Sequence, residues 1–195
     1  TAAPAVSNVQ PTGSVSSDSF LISATYSDPA PTTGINTGAV NLTLDGGALS
    51  GCSVTQTGVS CPVSGLGLGA HTIGGSVADN AGHSSAINGS FTLFDSTGPV
   101  VSKVLPAGFH ASTFATISAD YSDPAPSSGI NTGSVFMTLD GVELTCAVTA
   151  SNVSCPISGL TKGWHNIYGS VADNAGHATP ISGRFPPRPT PLACK

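Results

Sequence analysis

Charge is the first thing this chain lacks. Lys and Arg together number 5 and Asp and Glu 10, so charged residues fill 8% of its 195 positions, against roughly 25% in ordinary soluble domains. A net charge of −5 with so few cations offers no footprint for a phosphate backbone, which excludes nucleic acid as the partner. No run of about 18 apolar residues is present, so no segment is expected to span a membrane. No signal peptide is visible, and a mature chain would carry none. Helical periodicity is missing throughout, and the Cys-x-x-Cys-His motif of attached haem is absent. No Ser or Cys pairs with a His and an orienting acid, so no enzyme is expected. In place of charge stand Gly 24, Pro 15 and abundant Ser, Thr and Asn, with a mean hydropathy of +0.21. A free monomer keeps more charge for solubility. This surface is expected to be shielded by glycans or covered by neighbouring subunits.

What the chain has is a duplication. The segment from Tyr26 to Val40, containing Ser27-Asp28-Pro29-Ala30-Pro31 and Gly34-Ile35-Asn36-Thr37-Gly38, returns from Tyr121 to Val135 with three conservative changes. Ser76-Val-Ala-Asp-Asn-Ala-Gly-His83 returns unchanged as Ser170 to His177. Asp28 and Asp123 are 95 positions apart and Asp79 and Asp173 94, a period that suits one independently folding domain rather than a solenoid repeat. Residues 1–94 and 95–186 are therefore expected to be two copies of one domain, joined at Asp95-Ser-Thr-Gly-Pro-Val100. Residues 187–195 follow as an extended tail, too rich in proline for a central strand.

Each copy carries two cysteines with eight residues between them, Cys52 with Cys61 and Cys146 with Cys155. This spacing suits the arms of a hairpin, and a local disulfide is expected in each copy. No copy holds the four close ligands that zinc requires. Disulfides imply an oxidising, extracytoplasmic location. Strand signals dominate elsewhere. Phe20, Ile22, Ala24 and Tyr26 alternate with Leu21, Ser23 and Thr25, and Ile117, Ala119 and Tyr121 repeat the pattern. Val40, Leu42 and Leu44 run to the turn Asp45-Gly46, as Val135, Met137 and Leu139 run to Asp140-Gly141. Ile73 and Val77, matched by Ile167 and Val171, mark a later strand. Short strands with frequent turns predict an all-β chain of two tandem immunoglobulin-like β-sandwiches with a Pro-rich C-terminal tail.

The Gly-Ile segment leading into a strand that ends Leu-Asp-Gly, then Gly-x-His, then Val-Ala-Asp-Asn-Ala-Gly, resembles bacterial Ig-like repeats. Those modules are strung along prokaryotic adhesins and other surface proteins and are close in architecture to fibronectin type III. The resemblance covers both copies and omits the tail. His83 and His177 stand where such repeats usually end in Asn, and the hairpin disulfide is not a general feature of them. The resemblance implies an extracellular or cell-surface protein.

The few acids are placed informatively. In such a sandwich Asp28 and Asp79, like Asp123 and Asp173, lie on loops at one end. Asp95, Asp123, Asp173 and Asn174 would then offer a hard cation such as Ca²⁺ three carboxylates and an amide oxygen, and related repeats are stiffened by calcium at that place. Asp28, Asp79 and Asn80 are expected to form the poorer counterpart, because the position matching Asp95 falls just before Thr1. The same residue types also build turns by bonding their own backbone. His71 and His165 share the inward parity of Ile73 and Ile167, where a His or Tyr bonds a corner of the fold. His83 and His177 sit on loop tips, and His110 has no counterpart.

The copies differ most in their aromatic residues. Phe136, Trp164 and Tyr168 are expected to face outward on adjacent strands of one sheet, where the first copy has Asn41, Ala70 and Gly74. Such rings suit a contact surface; a sugar-stacking platform, a cover by the tail or a neighbour, or a one-residue shift that buries them are the alternatives. A bulky face on one copy and a flat face on the other make a heterologous contact that repeats head to tail. Cys194 on the extended tail adds a further reach to a neighbour. The expected function is a non-catalytic extracellular stalk or filament subunit forming a homopolymer. The alternative is an adhesin or carbohydrate-binding module that holds glycan on the aromatic face. Asn41-Leu-Thr43, Asn88-Gly-Ser90 and Asn152-Val-Ser154 match the glycosylation sequon.

Overall fold

The computed structural model describes residues 2–108 and 112–186, and the chain divides between Asp95 and Ser96 into two compact units. His110, Cys194 and the tail at 187–195 lie outside the described residues.

The first unit contains β1 (Ala5–Gln10), β2 (Gly13–Val15), β3 (Ser19–Ser27), β4 (Asn41–Leu44), β5 (Gly47–Ala48), β6 (Ser53–Val54), β7 (Gly58–Ser64), β8 (Gly69–Ala78) and β9 (Ser84–Leu93). One sheet runs β1-β3-β7-β6 and the other β2-β9-β8-β4-β5. The second unit contains β10 (Val100–Leu105), β11 (Ala115–Ser122), β12 (Ile130–Leu139), β13 (Val142–Glu143), β14 (Ala147–Val148), β15 (Asn152–Ile157), β16 (His165–Asp173) and β17 (Ala178–Phe185). Its sheets run β10-β11-β15-β14 and β13-β12-β16-β17. In both units the first strand pairs with the next long one (β1 with β3, β10 with β11), which continues through β7-β6 or β15-β14, and the remaining strands form the second sheet, an immunoglobulin-like topology.

Alternation does the folding. Along β3, Ile22, Ala24 and Tyr26 are buried while Leu21, Thr25 and Ser27 face water, and Ile117, Ala119 and Tyr121 repeat this on β11. Met137, Ile167, Val171, Ile181 and Phe185 complete the second core as Leu42, Ile73, Val77, Ile87 and Phe91 complete the first. The Tyr26 hydroxyl donates to the Thr55 carbonyl at 3.0 Å and that of Tyr121 to Thr149 at 2.9 Å, so neither buried phenol lacks an acceptor.

Both disulfides form, Cys52–Cys61 with Cα atoms 4.1 Å apart and Cys146–Cys155 with 4.2 Å. They tie the β6–β7 and β14–β15 hairpins to the core, where Cys61 and Cys155 are fully buried. Closing a loop of about ten residues contributes about 2.7 kcal/mol in the chain-entropy account.

Some features escaped the sequence pattern. Strand β2 pairs in parallel with β9, Gly13 opposite Phe91 and Val15 opposite Leu93. It is three residues long and carries one apolar side chain, too little for alternation to register. Gly75 and Gly169 sit where β8 and β16 press on β4 and β12. A Cβ at Gly169 would strike the Phe136 carbonyl oxygen and lie 2.9 Å from Met137 Sδ. Only glycine allows that approach.

Candidate functional site

The outward face of β12, β16 and β17 is built by strand period alone. Since Met137 and Ile167 point inward, Phe136 and Tyr168 must point out, and they are 48% and 56% exposed. Trp164, 53% exposed, lies one residue before β16 begins rather than on it. Register sets the spacing. Phe136 is opposite Ser170 and Thr138 is opposite Tyr168 on β12 and β16, while Tyr168 is opposite Ser182 on β17. Phe136 and Tyr168 are therefore diagonal neighbours. Arg184 on β17 lays its guanidinium over the Trp164 ring, 4.0 Å from the centroid. That cation–π contact orients the indole and adds charge to a face that otherwise carries rings and hydroxyls. On the first unit the matching positions Asn41 and Ala70 are exposed and Gly74 is half-buried, with no ring among them.

The acidic residues are placed as loop builders. In the first unit Asp28 Oδ2 accepts the Thr32 hydroxyl at 2.6 Å and the amides of Thr33 and Gly34 at 2.8 and 2.7 Å. The Thr32 hydroxyl, with the Gly34 and Thr33 amides, holds its carboxyl below the usual range against the opposing pull of burial and, less strongly, of the Asp79 charge. Asn80 Nδ2 donates to the Thr33 carbonyl at 2.8 Å. In the second unit Asp123 Oδ2 accepts Ser127 Oγ at 2.6 Å and the Gly129 amide at 2.7 Å, and Asn174 Nδ2 donates to Ser128 at 2.8 Å. The other oxygen of each, Asp28 Oδ1 and Asp123 Oδ1, is buried and accepts no hydrogen bond. Asp79 and Asp173 are buried, and each holds the ring of the His four residues on, His83 and His177, at 2.9 Å. Burial pushes both carboxyls up, but the bonds from His83 and His177, together with those from nearby amides, outweigh it and leave both below the usual range. Asp95, the last residue of the first unit, is also buried.

A second ionic pair repeats in the two units and was not foreseen as a pair. Asp45 and Asp140 occupy the first position of their Asp-Gly turns at φ 50° and 51°. Asp140 Oδ2 meets His165 Nδ1 at 2.6 Å, and Oδ1 accepts the Asn166 amide at 2.9 Å. The other ring nitrogen, His165 Nε2, lies 3.1 Å from the Thr161 carbonyl oxygen. Asp45, His71 and the Gly67 carbonyl repeat the arrangement at 2.7 and 2.8 Å. Each imidazole thus faces an acceptor at both nitrogens. A neutral ring donates once, so only imidazolium satisfies both. The Asp45 carboxylate, with the Gly67 carbonyl, raises the His71 pKa. Burial pulls His165 down, but Asp140 and Thr161 outweigh it and raise its pKa as well. The rings stack on Phe91 and Phe185, with centroids 5.1 Å apart in both cases. The signal was present in the sequence, since an Asp-Gly turn and a following Gly-x-His or Gly-Trp-His recur together.

Among the described residues no helix is long and apolar enough to cross a membrane. No protein-family model and no curated protein matches the sequence. Solved structures do. A variant of a three-Ig fragment of titin is 14% identical at TM-score 0.49, covering 94% of this chain and 65% of the fragment. Insect hemolin, described as having implications for homophilic adhesion, is 15% identical at TM-score 0.49, covering 95% of this chain and 46% of its own. Fibronectin(III)-like modules of Clostridium thermocellum CbhA are 17% identical at TM-score 0.37, with 95% and 94% covered. The chain thus spans about two thirds or less of the titin and hemolin chains. On its own strand order, it is a tandem of immunoglobulin-like, fibronectin-III-like β-sandwiches.

Proposed function

We propose that this chain is a non-catalytic extracellular structural module that polymerises head to tail. In this reading the ring-bearing face of the second unit docks on the ring-free face of the first unit of another copy. The observation that carries it is the asymmetry between equivalent faces, Phe136, Trp164 and Tyr168 against Asn41, Ala70 and Gly74. Three half-exposed rings on one sheet suit a contact surface better than a solvated one. Unequal surfaces make the contact heterologous, and such a contact propagates. The low charge of the chain suits a surface buried in a polymer, and the two disulfides suit an oxidising exterior. Electron microscopy of the native protein tests it. Filaments at high concentration are expected, and dispersed single particles at every concentration would overturn the reading.

A cation at the loop ends is a second reading, favoured by the orphaned Asp28 Oδ1 and Asp123 Oδ1. Each buried oxygen lacks a donor, and a hard cation such as Ca²⁺ supplies what a carboxylate oxygen needs. Asn80 and Asn174 bond the Asp28 and Asp123 loops through their amide nitrogens, and the charge of Asp79 is felt at Asp28; with Asp173 these are the further oxygen donors of this reading. A melting temperature unmoved by chelation would remove this reading.

A further inference from the structure

Three Asn-x-Ser/Thr sequences occur, and the fold treats them differently. Asn41 and Thr43 lie on β4 and Asn88 and Ser90 on β9, so in each pair the amide and the hydroxyl two residues on share the outward side of the strand. Both asparagines are exposed. Register brings them to one face. Thr43 is opposite Gly74, and Gly74 is opposite Asn88; Asn41 is opposite Ser76, the next outward position of β8. Two strand spacings and a two-residue offset separate the two asparagines by roughly 12 Å. Between them lie only Gly74 and Ser76, which leave room above the sheet. Asn41 Nδ2 gives one proton to Ser76 Oγ at 2.9 Å, leaving its second for substitution.

Asn152 is the internal contrast. It is half-buried, and its Nδ2 donates to the Ala119 carbonyl at 3.1 Å and to Asp120 Oδ1 at 2.6 Å. Both amide protons are committed, so a sugar there would break a bond to the neighbouring strand. The second unit has lost both exposed sequences at once: Phe136 stands at the position of Asn41, and Ser182 at that of Asn88. The face that carries the acceptors and the face that carries the rings are thus equivalent faces of the two units.

We infer that Asn41 and Asn88 are N-glycan acceptors, so that the ring-free face of the first unit is coated with sugar. In the transfer the asparagine Nδ2 attacks the anomeric carbon of a lipid-diphosphate-linked oligosaccharide held by a transferase. A C–N bond forms, the bond from carbon to phosphate oxygen breaks, the lipid diphosphate leaves, and the amide proton passes to a base on the transferase. A low-charge surface gains solubility from such a coat. The two disulfides suit the compartment in which this transfer occurs. Where the face meets the rings of another copy, which rests on the polymer reading above, Trp164 and Tyr168 would stack on sugar.

Glycopeptide mapping by mass spectrometry, on protein isolated from the cells that make it, decides the matter. Hexose- or hexosamine-bearing peptides at Asn41 and Asn88, with a bare Asn152, are expected. Bare Asn41 and Asn88, or a glycan on Asn152 equal in occupancy to theirs, would overturn the inference. Mapping is read on peptides, so it is blind to assembly. A bare protein that still forms filaments removes the glycans alone, and a glycosylated protein that forms none removes the polymer alone.

Discussion

Raising the pH should loosen the second unit through His165. Its two nitrogens face the Asp140 carboxylate at 2.6 Å and the Thr161 carbonyl at 3.1 Å, and its ring packs on Phe185. Both bonds require the protonated ring. With its pKa raised by folding, the folded state holds this proton where the unfolded chain, titrating near 6.5, has begun to release it. The stabilisation is complete below the unfolded value and fades as pH climbs through the folded one. One extra proton bound in the folded state gives a slope of at most about 1.4 kcal/mol per pH unit. Asp140 is held low and works at the other end, its contribution present above the ordinary carboxyl range and lost as pH falls through its folded value. Stability should therefore peak between about pH 4 and 6.5. Trp164 is the one tryptophan in the chain and adjoins His165, so its fluorescence reports the second unit alone. Urea titrations followed by that fluorescence from pH 5.5 to 8.5 should lose stability with rising pH in the wild type. His165→Gln should be weaker at pH 5.5 by about 1–3 kcal/mol, the range for a lost charge-assisted bond, and nearly flat above it. A wild-type profile that is flat or rises, parallel to that of the variant, would refute the doubly bonded imidazolium.

Removing Cys146 and Cys155 together as alanines should cost the second unit about 2–3 kcal/mol in the same titration, and reduction of the wild type should do the same. Gly169→Ala should cost at least about 2 kcal/mol, because the new methyl meets the Phe136 carbonyl and Met137; a thermal melt within a degree of wild type would contradict it. Tyr121→Phe removes the bond to Thr149 and should cost about 1 kcal/mol by denaturant midpoint. Trp164→Ala and Tyr168→Ala should leave stability within about 0.5 kcal/mol, as exposed positions do, while sedimentation velocity shows their assembly lost.

Much of this architecture was legible because strand period is strict. The inward placement of Ile22, Ala24 and Tyr26, and of Met137 and Ile167, fixes the outward placement of Phe136 and Tyr168 without further information. The hairpin cysteines were legible because the same short spacing recurs in both copies and suits a local bridge. What depends on distant residues was not. The Asp140–His165 pair joins a turn to a strand start 25 positions away, and the cover of Trp164 by Arg184 depends on β17 register. Asp28 and Asp123 were read as ligand candidates, yet one oxygen of each is consumed by its own loop. The acceptor character of Asn41 and Asn88, against that of Asn152, also required the fold, because all three satisfy the same sequence pattern.

The central claim is a contact between unlike faces, and chain capping tests it most directly. A Phe136→Ala/Trp164→Ala/Tyr168→Ala variant loses the ring-bearing face but keeps the face around Asn41, Ala70 and Gly74. Added at a small fraction to wild-type protein, it should accept the rings of a growing end and offer none in return. Filament length by electron microscopy should then shorten roughly as the inverse of the fraction added. Wild-type filaments of unchanged length, with the variant left free in solution, would contradict the head-to-tail account.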